Sequence, residues 1–323
     1  MNTLGTVFRL TTFGESHGVA VGGVIDGCPP GMRIDQESVA AALARRATGT
    51  TSSDSQRKES DEVLFLSGLL DGVTLGTPIA FMVRNEDARS QDYEAFRNTY
   101  RPSHADFTYE AKYGLRDWRG GGRASARATV PVVVAGAIAR QWLAEKGITV
   151  TSEVEHLGGE TDPGRIEALL RQCREEGDTL GGVARGHILG LPAGVGEPLF
   201  DKLQACLAKA MFSIPAVKGF EYGDGFAMAS EKGSEANDAF VKDADGRIHT
   251  TTNHSGGIQG GISNGEEVFF RVAFKPIPTL GRDNRHDVCA LPRALVVVES
   301  MAALTVADQL LLGNRYFFLN DNK

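Results

Sequence analysis

The stretch G-V-I-D-G-C-P-P-G at residues 23–31 recurs with the same glycine spacing as G-H-I-L-G-L-P-A-G at residues 186–194. Each copy starts with apolar residues typical of a strand and ends in a turn built from proline and glycine. After the first copy, Asp35 is the expected N-cap of a helix that runs to about Arg46, and after the second a helix is expected to start near Pro198. Two strand–turn–helix units in one chain indicate a duplicated α/β unit, with chance similarity as the alternative.

The other periodic segments mix strands and helices. Strands are predicted at 6–12 and 268–274, and helices at 131–145, 162–177 and 294–312. The first of these helices is apolar all round, which indicates that it is buried on most sides. Because no low-complexity tract or Pro/Ser-rich linker interrupts the chain, we expect an α+β fold and a single domain over residues 1–323.

Composition limits the classes of function. The 323 residues carry a net charge of −7 and are 41% hydrophobic and 23% charged, which is ordinary for a soluble globular protein and argues against a general nucleic-acid binder. With no run of about 18 apolar residues and no charged-then-apolar leader, we expect a cytoplasmic protein without a membrane partner. The four cysteines lack C-x-x-C spacing, so neither a zinc site nor a disulfide framework is indicated, and we expect small core residues.

One short stretch concentrates positive charge in this acidic protein. R-D-W-R-G-G-G-R-A-S-A-R at 116–127 holds four arginines around three glycines. Glycine lets the backbone approach a ligand closely, and guanidinium groups bind phosphate or carboxylate in a bidentate way. The stretch therefore favours an anion site, the alternative being a flexible surface loop with solvated arginines.

Four further segments contain residues suited to proton transfer or ligand contact. They are F-G-E-S-H-G at 13–18, R-P-S-H-A-D at 101–106, N-H-S-G-G-I-Q-G-G-I-S-N-G at 253–265 and R-H-D at 285–287. Taken singly, a histidine in such a turn is more simply a hydrogen-bonded turn residue, and Asp287 a salt-bridge partner of Arg285. Taken together with the 116–127 stretch and with K-P at 275–276, the segments resemble the chorismate synthase family over nearly the whole chain.

The resemblance implies an enzyme at the end of the shikimate pathway. Its members convert 5-enolpyruvylshikimate 3-phosphate to chorismate and phosphate by a 1,4-elimination that has no net redox change yet requires reduced FMN. The family also implies a β-α-β sandwich with an internal pseudo-repeat and a homotetramer. Loss of phosphate needs cations around the leaving group, an acid for it, and a base for the departing ring hydrogen.

The family motifs also imply roles for individual residues. His17 would be the acid beside the leaving phosphate, His104 would donate to the pyrimidine ring of the reduced flavin, and Asp287 would relay the proton from flavin N5. Arg46 and Arg127 would bind the substrate. Flavin contacts are expected at Arg123, Ala124, Ser125, Ala216, Gly260, Lys275, Pro276, Ile277, Pro278, Thr279 and Arg285.

The chain departs from the family pattern at several positions. Ser52 stands where many members have a second arginine, Ala128 replaces a carboxylate, Pro215 replaces an asparagine and Val288 replaces a proline. The Lys275-to-Arg285 interval and the region 149–175 are shorter than in the family. These departures leave open an impaired relative that still binds flavin or a phosphorylated ligand. A flavin-dependent oxidoreductase with a nicotinamide partner is disfavoured, because no G-x-G-x-x-G fingerprint follows a strand.

Overall fold

A computed structural model describes residues 1–47, 61–86, 90–278, 280–281 and 287–317. Its strands are β1 Thr3–Leu4, β2 Arg9–Gly14, β3 Ala20–Asp26, β4 Val63–Phe65, β5 Leu69–Leu70, β6 Val73–Thr74, β7 Ile79–Arg84, β8 Thr149–Leu157, β9 Gly182–Leu189, β10 Val217–Tyr222, β11 Phe240–Lys242, β12 Ile248–Thr250, β13 Ile258–Gln259, β14 Ile262–Ser263 and β15 Val268–Phe274. Its α-helices are α1 Gln36–Arg46, α2 Asp106–Tyr113, α3 Val130–Ala144, α4 Pro163–Glu176, α5 Leu203–Phe212, α6 Gly233–Ala236 and α7 Leu291–Phe317. Short 3-10 helices cover Ser90–Phe96, Gly122–Ala124, Ala126–Thr129 and Gly225–Ser230.

Two antiparallel sheets form the outer layers of the fold. Within the described residues, the first has the strand order β1-β2-β3-β7-β4 and the second the order β10-β15-β9-β8. Alternate residues of the central strands are buried, Ile79, Phe81 and Val83 in β7 and Val268, Phe270 and Val272 in β15. Because successive side chains of a strand point to opposite faces, one face of each sheet lies towards the interior.

The long helices α3 and α7 fill the space between the sheets. Helix α3 packs on β2, β3 and β7 of the first sheet, α7 packs on β8 and β9 of the second, and the two helices pack on each other. The prediction of a helix buried on most sides is confirmed for α3, where Val130 to Ala139 are all buried. Sheet, helices and sheet give the expected β-α-β sandwich of the α+β class.

The pseudo-repeat is visible in both topology and backbone. Strand β3 lies between β2 and β7, and β9 lies in the same way between β8 and β15. Gly27 and Gly190, at matching places in the repeat, have φ of +76° and +75°. A Cβ would lie 1.9 Å from the Val7 carbonyl oxygen at the first and 2.2 Å from the Gly147 carbonyl oxygen at the second. Both turns therefore need glycine for the same two reasons, a left-handed φ and a close backbone approach.

Two predicted element starts are wrong, and both errors have a tertiary cause. The helix after the second turn begins at Leu203 rather than near Pro198, because the Leu203 N–H donates to the Gly261 carbonyl at 2.9 Å and Gly196 forms a bridge with Ile262. The first long strand begins at Arg9 rather than Thr6. The N–H groups of residues 6–8 instead donate to the buried carboxylate of Asp308, at 2.6 to 3.0 Å.

The residues Leu291–Gly313 of α7 are long and apolar enough to cross a membrane, with a mean hydropathy of 1.7. However, 78% of this window is buried inside the protein, where α7 packs against α3, α5, β8 and β9. Helix α7 is therefore a core helix. Cys28, Cys173 and Cys289 are buried free thiols, as expected of small core residues, whereas Cys206 is half-buried.

Helices α3 and α7 lie in close contact at Gly136. A Cβ at this position would lie 2.2 Å from Cβ and 2.5 Å from Cα of Ser300 in α7. We expect Gly136→Ala to reduce the free energy of unfolding by about 1–3 kcal/mol, because overpacking a helix contact costs more than the roughly 1 kcal/mol that alanine gains over glycine in a helix. Denaturant unfolding followed by circular dichroism measures the change.

Gly313→Ala is the matched control, because Gly313 lies in α7 and no described atom comes within 4 Å of where its Cβ would lie. We expect this control to be neutral or slightly stabilising. Equal stability of the two variants would show that the α3–α7 contact tolerates a methyl group.

Candidate functional site

The segment at 13–18 forms a tight turn between β2 and β3 that presents His17. The turn is closed by a hydrogen bond from the Gly18 N–H to the Glu15 carbonyl, at 3.0 Å. His17 Nδ1 lies 3.0 Å from Ser16 Oγ, and the imidazole stacks edge-on against Tyr93 with ring centroids 5.0 Å apart. The half-buried imidazole is therefore held in place but keeps some access to solvent.

The glycines of the 116–127 stretch lie directly against this turn. A Cβ on Gly120 would lie 2.2 Å from His17 Nδ1, so the chain passes as close to the imidazole as glycine allows. Arg123 donates to the Gly14 carbonyl at 3.2 Å and to Thr12 Oγ1 at 2.5 Å. The stretch is thus packed against the turn, and the alternative of a solvated surface loop is wrong for this part of it.

A buried carboxylate, Asp106, organises the 101–106 segment. It accepts hydrogen bonds from Arg101 Nε and Nη2, at 2.8 and 2.7 Å, and from Arg101 N at 3.0 Å. His104 Nδ1 lies 2.9 Å away and Arg116 Nη1 3.5 Å away. Arg101 Nη2 also donates to the Gly120 carbonyl at 2.8 Å, which joins this cluster to the residues around His17.

The charges in this cluster set two pKa values. Burial alone would raise the pKa of Asp106, but the hydrogen bonds from Arg101 and the charge of His104 outweigh it and hold the pKa well below its usual range. Burial, followed by the charge of Arg101, lowers the pKa of His104 from its ordinary value, against the opposing effect of Asp106. This lowered pKa favours the uncharged imidazole of His104.

A second buried carboxylate, Asp61, lies between the two arginines expected to bind substrate. Asp61 is only 7% exposed; its Oδ2 accepts from Arg46 Nη2 at 2.8 Å, and its Oδ1 accepts from Arg127 Nη1. Burial alone would raise the pKa of Asp61. The charges of Arg46 and then Arg127 outweigh this effect and lower the pKa below its ordinary value, so the carboxyl is ionised. Two buried guanidinium groups thus meet at one carboxylate, and a pair of cations held in this way suits an anionic ligand.

Arg46 also has an unused donor in this cluster. Among the described residues, its Nε is buried without a hydrogen-bond partner. Burial lowers the pKa of Arg46, and Asp61 opposes this effect. A buried donor without a partner is costly, so a ligand oxygen at this point is favoured.

Asp287 lies next to the same cluster through Arg293. Arg293 Nη1 donates to both carboxylate oxygens of Asp287, at 2.7 and 2.5 Å, and Arg293 Nε donates to the Arg46 carbonyl at 2.9 Å. The suggested salt-bridge partner, Arg285, lies outside the described residues, as do Thr279 and Ser52. The pairing of Asp287 with Arg293 was not visible in the sequence.

The expected flavin contacts fall into three places. Lys275 N donates to the Ala216 carbonyl and Lys275 Nζ to the Ser103 carbonyl, both at 2.9 Å, so this pair lies beside His104. Pro276, Ile277 and Pro278 follow in the chain, and the Ile277 carbonyl accepts from Thr179 Oγ1 at 2.7 Å. Arg123, Ala124 and Ser125 lie at the His17 turn.

Gly260 occupies the third place. It lies at the tip of the β13–β14 hairpin with a φ of +65°, and no described atom comes within 4 Å of where its Cβ would be. None of the described contacts connects Gly260 to the other expected flavin residues.

Three residues of this site escaped sequence reasoning: Asp61, Asn85 and Arg293. Asn85 directly follows β7, and its side chain accepts from Arg127 Nε at 2.8 Å and donates to the Glu15 and Gly18 carbonyls at 3.0 and 2.8 Å. A polar residue at the end of a buried strand was the only local signal for it. Nothing local distinguished Asp61 or Arg293 from surface charges.

Comparison with known proteins gives one consistent result. The family model described as chorismate synthase matches residues 8–311. Curated proteins named chorismate synthase from Porphyromonas gingivalis and Synechocystis sp. are 49% and 47% identical to the chain, with 95% and 96% of the chain and 95% and 97% of those proteins covered. A solved structure titled "Crystal Structure of Chorismate Synthase" superimposes with a TM-score of 0.78 at 31% identity, covering 95% of this chain and 93% of that one.

Fold, site and relatives together define a lyase that acts on a phosphorylated substrate. The chain belongs to the chorismate synthase family. It is an enzyme of the shikimate pathway that converts 5-enolpyruvylshikimate 3-phosphate to chorismate and phosphate, and the family implies a flavin cofactor. Nothing in the comparisons favours an impaired relative. The alignments, 349 residues long for the Porphyromonas protein, exceed the 323 residues of the chain, in keeping with intervals shorter than in the family.

We expect Asp106→Asn to lower the pKa of His104 further. The asparagine removes the negative charge that opposes burial and Arg101, while keeping the shape of the side chain. Because His104 titrates below its ordinary value of about 6.5, the folded state takes up its proton later than the unfolded state as the pH falls. The free energy of unfolding should therefore decrease as the pH falls through about 6.5. In the variant this decrease should continue to a lower pH.

NMR titration of the imidazole protons measures the His104 pKa directly. His254 is an internal control, because its hydrogen bond to Asp224 raises its pKa and it has no contact with Asp106 among the described residues. A His104 pKa that rises in the variant would contradict the assigned balance of charges.

Proposed function

We propose that the elimination is carried out with reduced FMN at the site formed by His17, His104, the Arg46–Asp61–Arg127 cluster and Asp287. One observation carries this proposal: Asp61 holds two buried guanidinium groups side by side, an arrangement that suits an anionic ligand. The substrate phosphate is the anion that these cations would bind. Arg46 Nε provides a donor that the described protein residues leave unused.

His17 is the acid that protonates the departing phosphate. Its turn is joined to Arg127 through Asn85, so the imidazole and the cation keep a fixed relation to each other. Cations lower the energy of the leaving phosphate most when they are positioned before the reaction, because no reorganisation is then needed. The acid adds the proton that makes phosphate a better leaving group.

The flavin site fits the residues that surround His104. Lys275 places a cation beside the His104 loop, and Ala216 lies against Lys275. Because Nδ1 of His104 faces the ionised Asp106, a hydrogen bond to the flavin would come from Nε2 of the protonated imidazole, which the negative charge of a reduced flavin would favour. These groups suit the electron-rich pyrimidine ring of a reduced flavin. When bound, reduced FMN supplies electron density to the substrate. Arg123, Ala124 and Ser125 would contact it from the side of the His17 turn, and Pro276, Ile277 and Pro278 from the side of Lys275, with Gly260, Thr279 and Arg285 as further expected contacts.

Asp287 is the carboxylate that would relay the proton of the departing ring hydrogen from the flavin N5 position. Arg293 donates to both of its oxygens and is itself tied to the Arg46 carbonyl, which holds the carboxylate beside the cluster. A general base must be held within hydrogen-bond reach of its proton, or one water away, and this clamp orients it.

We also propose that the chain is a single domain, acts in the cytoplasm and assembles as a homotetramer. The burial of α7 within the core supports a soluble enzyme. Exposed apolar side chains in and after the edge strand β4 of the first sheet support assembly, because exposed apolar surface favours association. They are Leu64, Leu66, Leu70 and Leu75.

We expect chorismate to form only when FMN is supplied in its reduced state, and the flavin to be regenerated rather than consumed. The elimination has no net redox change, so reduced flavin acts catalytically. An anaerobic assay with 5-enolpyruvylshikimate 3-phosphate measures chorismate and flavin oxidation together. Turnover with oxidised flavin in the strict absence of reductant, or one flavin oxidised per product, would falsify the proposal.

We expect His17→Ala and Asp287→Ala each to lower turnover by about 10²–10⁴-fold, the usual contribution of a general acid or base. Asp287→Asn separates the loss of the base from the loss of the clamp, because asparagine can still accept a hydrogen bond from Arg293. Steady-state kinetics with reduced FMN gives the values, and circular dichroism verifies folding.

His249→Ala is the control histidine variant. His249 is exposed in β12, and the proposed mechanism does not use it. It should keep the turnover of the unmodified enzyme. If His17→Ala or Asp287→Asn behaves like this control, the role assigned to that residue is wrong.

A further inference from the structure

We propose that Asn85 is a positioning residue that fixes the proposed acid, His17, relative to the phosphate-binding guanidinium of Arg127. This inference rests on the function proposed above and adds a residue that no motif or comparison assigns. Asn85 follows β7, and its own N–H donates to the Val19 carbonyl at 3.1 Å, so its backbone is anchored between the end of β7 and the start of β3.

The side-chain amide of Asn85 is used at both ends. Its oxygen accepts from Arg127 Nε at 2.8 Å. Its nitrogen donates to the Glu15 carbonyl at 3.0 Å and to the Gly18 carbonyl at 2.8 Å. A carboxamide of this length supplies one acceptor and two donors together, whereas a carboxylate offers only acceptors and a glutamine is one methylene longer. The contacts also fix which way the amide points.

On one side, the amide oxygen completes the restraint of Arg127. With Nε bound to Asn85, Nη1 bound to Asp61 and Nη2 bound to the Arg84 carbonyl at 2.9 Å, each guanidinium nitrogen has a protein partner. The plane of the guanidinium is therefore set before an anion arrives. Only 4% of Arg127 is exposed, so water cannot replace a lost partner easily.

On the other side, the amide nitrogen restrains the turn that carries His17. It binds the carbonyls of residues 15 and 18, which flank His17, and the turn is closed further by the Gly18 N–H bond to the Glu15 carbonyl. The backbone that carries the imidazole can then shift only if these bonds break. One side chain thus links the site of proton donation to the site of charge stabilisation, where a displacement of about 1 Å can cost about 10²-fold in rate.

The experiment compares Asn85→Ala with Asn98→Ala, an asparagine on the exposed surface. In the anaerobic assay, we expect Asn85→Ala to raise the KM for 5-enolpyruvylshikimate 3-phosphate about ten-fold, because Arg127 is freed, and to lower kcat about ten-fold, because the His17 turn is freed. Asn98→Ala should leave both constants unchanged.

Crossed double variants separate positioning from general disruption. Combined with Arg127→Ala, Asn85→Ala should no longer raise KM but should still lower kcat. Combined with His17→Gln, it should still raise KM but no longer lower kcat. The proposal would be overturned if Asn85→Ala changed KM and kcat by the same factors in every background. It would also be overturned if the single variant kept the KM and kcat of the unmodified enzyme.

Binding of inorganic phosphate to the flavin-free protein tests the same idea without chemistry. Isothermal titration should show about ten-fold weaker binding to Asn85→Ala than to Asn98→Ala, with circular dichroism verifying that both variants are folded. If the unmodified protein binds phosphate but forms no chorismate, the proposed function fails. The phosphate affinities of the two variants then decide the role of Asn85. Equal phosphate affinity of the two variants would overturn the positioning role.

Discussion

The packing of α3 against α7 sets the spacing of the whole fold. Each sheet buries its apolar face on one of these helices, so the distance between the helices sets the distance between the sheets. Gly136 permits the approach because its missing side chain leaves room for Ser300. The adjacent Glu299 is buried yet fully engaged, since it accepts from Arg45, Arg140 and Ser152 and so ties α1, α3 and β8 to α7.

Buried carboxylates organise the cations of the site in the same manner. Asp106 holds Arg101, His104 and Arg116, and Asp61 holds Arg46 and Arg127. In each case one carboxylate holds at least two arginines, which explains how a protein with a net charge of −7 can concentrate cations locally. Arginines fixed in this way lose little freedom on binding, so more of the interaction energy is available for the leaving phosphate.

The motif residues were predictable because their backbone context is local. The F-G-E-S-H-G turn follows a strand, the R-G-G-G-R glycines allow close approach, and family resemblance joined them to His104 and Asp287. Asp61, Asn85 and Arg293 were not predictable, because each acts through a partner distant in the chain: Asn85 lies 42 residues from Arg127 and Asp61 lies 66. No periodicity encodes such a pair. The late start of α5 also depends on a partner distant in the chain, because the N–H of its first residue, Leu203, donates to the Gly261 carbonyl.

Local signals along the chain were enough to predict the main elements and their duplication. Strand β15 was predicted at its observed bounds, apolar residues on all sides indicated α3, caps at Asp162 and Gly177 bounded α4, and the repeated glycine turns indicated the two related halves. These signals arise within a few residues, where covalent geometry and hydrogen bonding along the chain decide conformation. Which charges become partners and which histidine becomes neutral was settled by tertiary packing alone, because desolvation and Coulomb energy depend on distances that exist only after both sheets have closed on α3 and α7.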